Sequence, residues 1–296
     1  MKILLVYNPN AAHGRAGTAL ALVREAFQQE KVDVDERLTG GPGDAMHITA
    51  EAPLERYDGV VAAGGDGTLF ETVNGYYRNP STTRPPLGVL PVGTGNAFAR
   101  DLDLDAARWR EAVAVIAAGK TRRVDVGRYR AQGEVMHYLN ILGLGFVADV
   151  TLAASRLKLL GNVSYTIGVV LRTVFLRPFR LHLEADGRVV DTESIFAEIS
   201  NTRYTSNFLM APAASIDDGL LDVTILSRLN RRRLLSCFPL IFTGEHVRLP
   251  EVITFKARKI LITTETPKVL TPDGELLGKT PVSIECLARD IAVFCR

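Results

Sequence analysis

One stretch limits what this chain can fold into more than any other: Val60-Val61-Ala62-Ala63-Gly64-Gly65-Asp66-Gly67-Thr68-Leu69. An apolar, β-favouring run passes directly into a glycine-rich turn. A segment from Leu69 to Arg78 follows, with apolar residues at helical spacing. Strand, tight turn and helix in immediate succession is the unit from which parallel sheets with crossover helices are built. Candidate strands of this kind fall at Lys2 to Tyr7, Val32 to Leu38, Gly59 to Ala63 and Leu87 to Pro91. Helical segments at Ala16 to Gln29, Asp44 to Ala52 and Leu69 to Arg78 lie between them. The pattern predicts a doubly wound α/β domain over residues 1–124.

The same turn can carry chemistry. Glycines let the backbone approach a phosphate closely, and the start of the next helix offers unpaired N–H groups at the positive end of its dipole. Asp66 sits at the C-terminal end of the strand, where α/β sheets place functional groups, and could hold a cation or take a proton. Such turns occur in many folds, so one alone does not make a site. Here there are more. Pro91-Val92-Gly93-Thr94-Gly95-Asn96-Ala97-Phe98-Ala99-Arg100-Asp101-Leu102 repeats the pattern, and Asn8-Pro9-Asn10-Ala11-Ala12-His13-Gly14-Arg15-Ala16 sets glycine and arginine before the first helix. Together they suggest the walls of a nucleotide cleft.

From about Asp125 the character changes to short alternating runs: Arg180 to Glu184, Ser194 to Ser200, Asp222 to Leu226 and Lys259 to Thr263. They predict an antiparallel β-rich domain over residues 125–287, with the last segment, 288–296, returning to the first domain. Two helical segments interrupt it, Val163 to Leu176 and Arg231 to Phe242. A formal charge of +2 on 296 residues gives no reason to expect nucleic acid as a partner. Cys237, Cys286 and Cys295 have neither metal nor redox spacing and read as thiols of a reducing compartment. His13, His47, His137, His182 and His246 show no ligand spacing. The most apolar window, Ile167 to Leu176, is broken by Arg172, so the chain is expected to touch a membrane but not cross it.

The GGDGT and PxGTGN turns, with the Asn-Pro loop, resemble the diacylglycerol kinase catalytic-domain family, which includes bacterial lipid kinases and the sphingosine and ceramide kinases. The family's nucleotide-binding half has an NAD kinase/phosphofructokinase-like fold. The resemblance implies ATP as phosphoryl donor, bound by Asn8, Pro9, Asn10, Ala11, Ala12, Thr39, Gly65, Asp66, Gly67, Thr68, Leu69, Phe70, Glu71 and Thr94, with Asp66 central to phosphate and Mg²⁺ handling. Pro272-Asp273-Gly274-Glu275 looks like the family's late DGE motif, which implies Glu275 as the general base that takes the proton of a lipid hydroxyl. On local grounds alone an Asp-Gly turn between strands is the better explanation, and only the family match overturns it. Ser215-Ile216-Asp217-Asp218-Gly219-Leu220 resembles the family's metal loop. Asp218 would give a carboxylate and Ser215 and Leu220 backbone carbonyls, a set suited to Mg²⁺ or Ca²⁺. Asp125 matches a further acidic position of the family.

What the resemblance implies is a kinase for diacylglycerol or a related lipid alcohol, cytoplasmic and peripheral at the inner face of the membrane, with a homodimer as an option. Ala97 stands where many bacterial diacylglycerol kinases carry an acidic residue, which leaves the acceptor open. The alternatives are a kinase for a soluble acceptor such as NAD, or a catalytically silent lipid- or nucleotide-binding module. Arg231, Arg232 and Arg233 lead into Leu234, Leu235, Phe238, Leu240, Ile241 and Phe242, while Arg156, Lys158, Arg172, Arg177 and Arg180 mark the other helical region. These are either membrane-facing clusters or core-facing stripes with solvated arginines, and Pro239 interrupts the first.

Overall fold

The computed structural model describes residues 1–146, 177–206 and 208–296. The helical segment expected at Val163 to Leu176, with Arg156, Lys158 and Arg172, lies outside the described residues. The chain divides into two compact units: Met1–Asp125 with Arg289–Arg296, and Val126–Ala288.

In the first unit β1 (Lys2–Tyr7), β2 (Asp33–Leu38), β3 (Gly59–Gly64) and β4 (Leu87–Pro91) form a parallel sheet in the order β4-β3-β1-β2. The end of the last strand, β14 (Val282–Phe294), joins this sheet beside β4 through Val293 and Leu87. Ile3, Leu4, Leu5 and Val6 are buried without a break, and so are Val60, Val61, Ala62 and Ala63. Continuous burial of this kind follows when helices cover both faces of a parallel sheet. Those helices include α1 (Arg15–Gln29), α2 (Asp44–Glu51), α3 (Asp66–Arg78) and α5 (Trp109–Ala118), with the short α4 (Ala97–Asp101). α1 presents Ala16, Val23, Ala26 and Phe27 to the core at helical spacing. Each large aliphatic side chain buried here contributes about 1.5–3 kcal/mol, so Leu5→Ala should cost roughly 2–5 kcal/mol.

Strand order decides where a ligand can sit. The chain leaves β1 for β2 on one side and returns to β3 on the other, so β1 and β3 are neighbours whose connections diverge. At such a switch point the loops leaving the C-terminal ends open a crevice, which a helix cannot cross.

The second unit is antiparallel. β10 (Leu221–Ser227) lies between β11 (Val252–Ala257) and β9 (Arg188–Ser200). β9 continues to β8 (Phe179–Ala185), and β8 to β12 (Lys259–Thr264). β7 (Ile141–Gly145) pairs with both β9 and β13 (Leu270–Pro272), while β5 (Thr121–Ala131) and β6 (Glu134–Tyr138) make a hairpin. Burial changes along β9: exposed and buried residues mix up to Glu193, whereas almost everything from Ser194 to Ser200 is buried. One half of β9 therefore meets solvent and the other lies inside. No helix among the described residues is long and apolar enough to cross a membrane.

Candidate active site

Three loops meet at the C-terminal edge of β1, β3 and β4. Asn8 ties two of them together: its N–H donates to the Ala63 carbonyl at 2.9 Å, and its Nδ2 donates to Thr68 Oγ1 at 3.0 Å. The second and third are pressed together, because the Gly93 N–H donates to the Gly64 carbonyl at 2.9 Å. A Cβ on Gly93 would stand 2.3 Å from Gly65 Cα, so no side chain can enter there. The glycine is required by the approach of two backbones, one of the physical reasons for glycine in phosphate loops.

α3 begins at Asp66 after Gly65, which has no side chain to cap it. The N-terminal turn of a helix suits an anion, with the helix dipole favouring negative charge. Asp66 turns across the crevice toward the third loop, where its Oδ1 accepts the Ala97 N–H at 2.8 Å. Burial pushes the Asp66 carboxyl up to about 6, against the backbone N–H groups of Ala97, Phe98 and Asn96 and the positive charge of Arg100. A Cβ on Gly95 would lie 2.4 Å from Asp66 Oδ2, so a second glycine is required where the third loop passes the carboxyl. Carboxylate oxygen is the donor type that a hard cation such as Mg²⁺ prefers.

The residues expected around the nucleotide divide into two groups. Asn8, Pro9, Ala11 and Ala12 are half-buried, Asn10 and Thr94 are exposed, and Gly65, Asp66 and Gly67 line the turn itself. Thr39 is buried just beyond β2, its N–H bonded to the Tyr7 carbonyl at 2.9 Å. Leu69 and Phe70, by contrast, are each only 3% exposed and belong to the core. Glu71 accepts the N–H of Gly43 at 2.7 Å and of Ala45 at 3.1 Å, which makes it the cap of α2. Asp125 is fully buried and its Oδ1 accepts the Arg289 N–H at 2.6 Å, fastening the end of β14. Asn96 was not anticipated. It is 7% exposed in a left-handed conformation, with φ 52°, and its Nδ2 holds the Gly93 carbonyl at 2.8 Å. Asparagine is one of the few residues other than glycine at ease there, and that preference is a readable signal.

In the second unit Glu275 stands exposed on the turn after β13. The turn is immobilised by its neighbour. Asp273, 8% exposed, accepts N–H groups from Leu139 at 3.2 Å, Asn140 at 3.0 Å and Ile141 at 2.9 Å. Its own N–H donates back to the Ile141 carbonyl at 2.9 Å. Asn201, at the end of β9, donates to the Leu139 carbonyl at 2.9 Å. The aspartate of the DGE motif is thus the fastening and the glutamate is what it presents.

β9 also carries Glu198, opposite Gly143 of β7, which is in turn opposite Thr271 of β13. Glu198 lies on the wall of an apolar cavity lined by Phe146, Phe196, Phe208, Leu226, Leu234 and Phe238, among others. The cavity offers about 90 Å³ to the centres of water-sized spheres, several times the room one water needs. Glu198 Oε1 accepts Thr205 Oγ1 at 2.6 Å and Ser200 Oγ at 3.1 Å, while Oε2 has no partner among the described residues. Burial pushes this carboxyl up to about 7, against the two hydroxyls that favour its charged form.

The helix from Arg231 ends at Cys237 and tightens into a single narrower turn, Phe238–Ile241, where Pro239 removes a donor. Leu234, Phe238 and Ile241 line the cavity, and of these Leu234 is buried. Leu235 and Phe242 point outward, 44% and 47% exposed. Arg233 pairs with Glu251 at 2.9 Å.

The turn expected to hold a divalent ion is closed differently. Asp218 Oδ1 accepts the Leu220 N–H at 3.0 Å, and Oδ2 pairs with the Lys256 ammonium at 2.6 Å. Ser215 Oγ donates to Asp217 Oδ1 at 2.8 Å. As folded, each Asp218 oxygen already has a partner, and a metal there would compete with the Lys256 ammonium.

Comparison with known proteins places both halves. Residues 2–129 match the diacylglycerol kinase catalytic domain, and residues 140–295 match the YegS C-terminal NAD kinase beta sandwich-like domain. The diacylglycerol kinase of Bacillus subtilis is 32% identical over 98% of this chain and 94% of its own length. That of Mycobacterium tuberculosis is 32% identical over 99% of this chain and 94% of its own length. The crystal structure of a diacylglycerol kinase from Bacillus anthracis superposes with a TM-score of 0.82 at 27% identity, covering 100% of this chain and 97% of that one. Matched in both domains and over nearly its whole length, the chain belongs to the diacylglycerol kinase family.

Proposed function

We propose that this protein transfers the γ-phosphoryl group of ATP to a hydroxyl of diacylglycerol or a related lipid alcohol. The observation that carries the reading is the pairing of two kinds of site in one chain. The first unit has an uncapped helix N-terminus ringed by glycine loops around Asp66, suited to phosphate. The second has a dry cavity on the sheet that also fixes the turn bearing Glu275, suited to an acyl chain whose hydroxyl reaches that turn.

The roles follow from chemistry. The N–H groups at the start of α3 and the loop beginning at Asn8 hold the phosphates in place. Asp66 would hold Mg²⁺ bound with ATP, an ion that supplies positive charge to the γ-phosphate as it is transferred. Thr39 and Thr94 border the nucleotide. Glu275 accepts the proton of the lipid hydroxyl, a poor nucleophile at neutral pH. Its placement on a turn held by Asp273 keeps it in position without burying it. Leu69, Phe70 and Glu71 support the loop from behind.

A lipid acceptor also requires a way to the bilayer. We assign that role to the surface around Arg231 and Arg232 with the exposed Leu235 and Phe242, basic and apolar side by side. The reading places the protein in the cytoplasm, peripheral at the inner face of the membrane. Phosphate transfer from labelled ATP to extracted lipids, with NAD and fructose 6-phosphate as controls, tests the whole reading. A phosphorylated lipid alone is expected; label in either soluble control would overturn it. Co-sedimentation with anionic vesicles, lost in an Arg231, Arg232, Arg233 to Ser variant, tests the surface.

A further inference from the structure

The turn Ser215–Leu220 has the acidic, glycine-bearing form of a cation loop, yet a side chain of the protein stands where the cation would be. Lys256 lies on β11 directly across from Asp222 of β10, so strand register delivers its side chain to the turn. Its Nζ donates to the Ala213 carbonyl at 2.8 Å and to Asp218 Oδ2 at 2.6 Å, and pairs with Asp222 Oδ2 at 3.3 Å. Two of these oxygens accept hydrogen bonds from the ammonium, and the third adds the negative charge of Asp222. The opposite edge of the turn is held by a second cation, since Arg258 Nε donates to the Gly219 carbonyl at 3.4 Å. The side chains of Lys256 and Asp218 are 29% and 30% exposed and that of Asp222 is 13% exposed, so the cluster is screened from water on most of its surface.

We infer that the Lys256 ammonium is the resident cation of this turn, an internal charge in the place where a divalent metal ion would otherwise bind. A metal at Asp218 would have to displace the ammonium from 2.6 Å and leave it as a like charge close by. Its ligands would be one oxygen of the Asp218 carboxylate and the backbone carbonyls of Ser215 and Leu220, because the other carboxylate oxygen accepts the Leu220 N–H. A divalent ion prefers more oxygen ligands than that. The lysine gives the same closure at any metal concentration. Metal dependence of this protein should then come entirely from ATP chemistry and not from the fold of the second unit.

The test counts bound Mn²⁺ by electron paramagnetic resonance without nucleotide, in wild type and in Asp218→Asn, Lys256→Gln and the double variant, with thermal melts in millimolar Mg²⁺ alongside. Wild type and Asp218→Asn should bind equal amounts of Mn²⁺ and show equal Mg²⁺ responses. Lys256→Gln should gain one Mn²⁺, bound at least about tenfold tighter than anything Asp218-dependent in wild type, and the double variant should lose it again. If Lys256→Gln is unfolded, Mg²⁺ should restore its fold, and should fail to do so for the double variant. The inference is overturned if Asp218→Asn removes an ion from wild type, or if Lys256→Gln gains none and is not rescued, which would make the lysine an ordinary ion pair.

Discussion

Asp66 and Glu198 are both carboxyl groups whose proton affinity is raised by burial, one in each unit, and their surroundings differ. Around Asp66 the protein supplies backbone N–H groups, the charge of Arg100 and a closely approaching glycine, Gly95. Those features favour the charged form. Around Glu198 it supplies aromatic and aliphatic walls and two hydroxyls, with one oxygen left unpartnered. Burial there outweighs the two hydroxyls and raises the acid to about 7, so it is only partly ionised near neutral pH. The same direction of shift thus arises in a polar loop in one unit and in an apolar cavity in the other.

The sharpest way to break this contrast is Asp66→Asn, which keeps shape and removes charge. Phosphate transfer should fall by at least about 10³-fold with the melting temperature unchanged or raised, because a costly buried charge is gone. In wild type, kcat/KM should decline as pH drops through about 6, as the carboxylate takes a proton. Turnover retained in the variant, or a flat profile there, would remove Asp66 from the chemistry.

Glu275→Gln tests whether the exposed acid of the second unit is the base. Its kcat should fall by about 10²–10⁴-fold while the KM for ATP stays put, since the lost group acts on the acceptor. An effect confined to the KM for ATP would place Glu275 with the nucleotide instead.

Filling the cavity separates acceptor from donor. Cys237→Phe adds a ring beside Leu234 and Phe238, and should lower kcat/KM for a long-chain lipid by roughly tenfold, with ATP affinity intact. A short-chain lipid should be spared. Equal loss for both chain lengths would mean the cavity does not hold the acyl chain.

The smallest expected effect is on stability. Because Glu198 binds its proton more tightly when folded, its contribution is present at acid pH and is lost as pH rises from about 4.5 through 7. Glu198→Gln cannot ionise, so it should gain on wild type over that window and lead by on the order of 1 kcal/mol at pH 8. Parallel stability curves would show that the carboxyl is not held near neutrality.

Where sequence reasoning succeeded, the signal was local. β1 and β4 fall where alternating apolar runs put them, and the glycine turns lie beside one another at the edge of the sheet. What it could not read is where each side chain of a motif goes. Leu69, Phe70 and Glu71 follow the GGDG turn directly, but a helix turns each successive residue by about a third of a revolution. Two therefore point to the core and one to α2. The DDG turn reads as a metal loop until a lysine almost forty residues later is placed across from it by strand register. Asp273 reads only as part of the DGE motif, and its partners are N–H groups more than a hundred residues upstream.

The sequence by itself determined the class of fold, the glycine-rich turns and the family, because each rests on short-range rules: hydrophobic period, glycine conformation and contiguous motif. Only the tertiary structure decided what surrounds each acid. A carboxyl group's role depends on what surrounds it, and for Asp66, Glu198, Asp218 and Asp273 the decisive neighbours are brought in from distant segments by sheet register and loop packing.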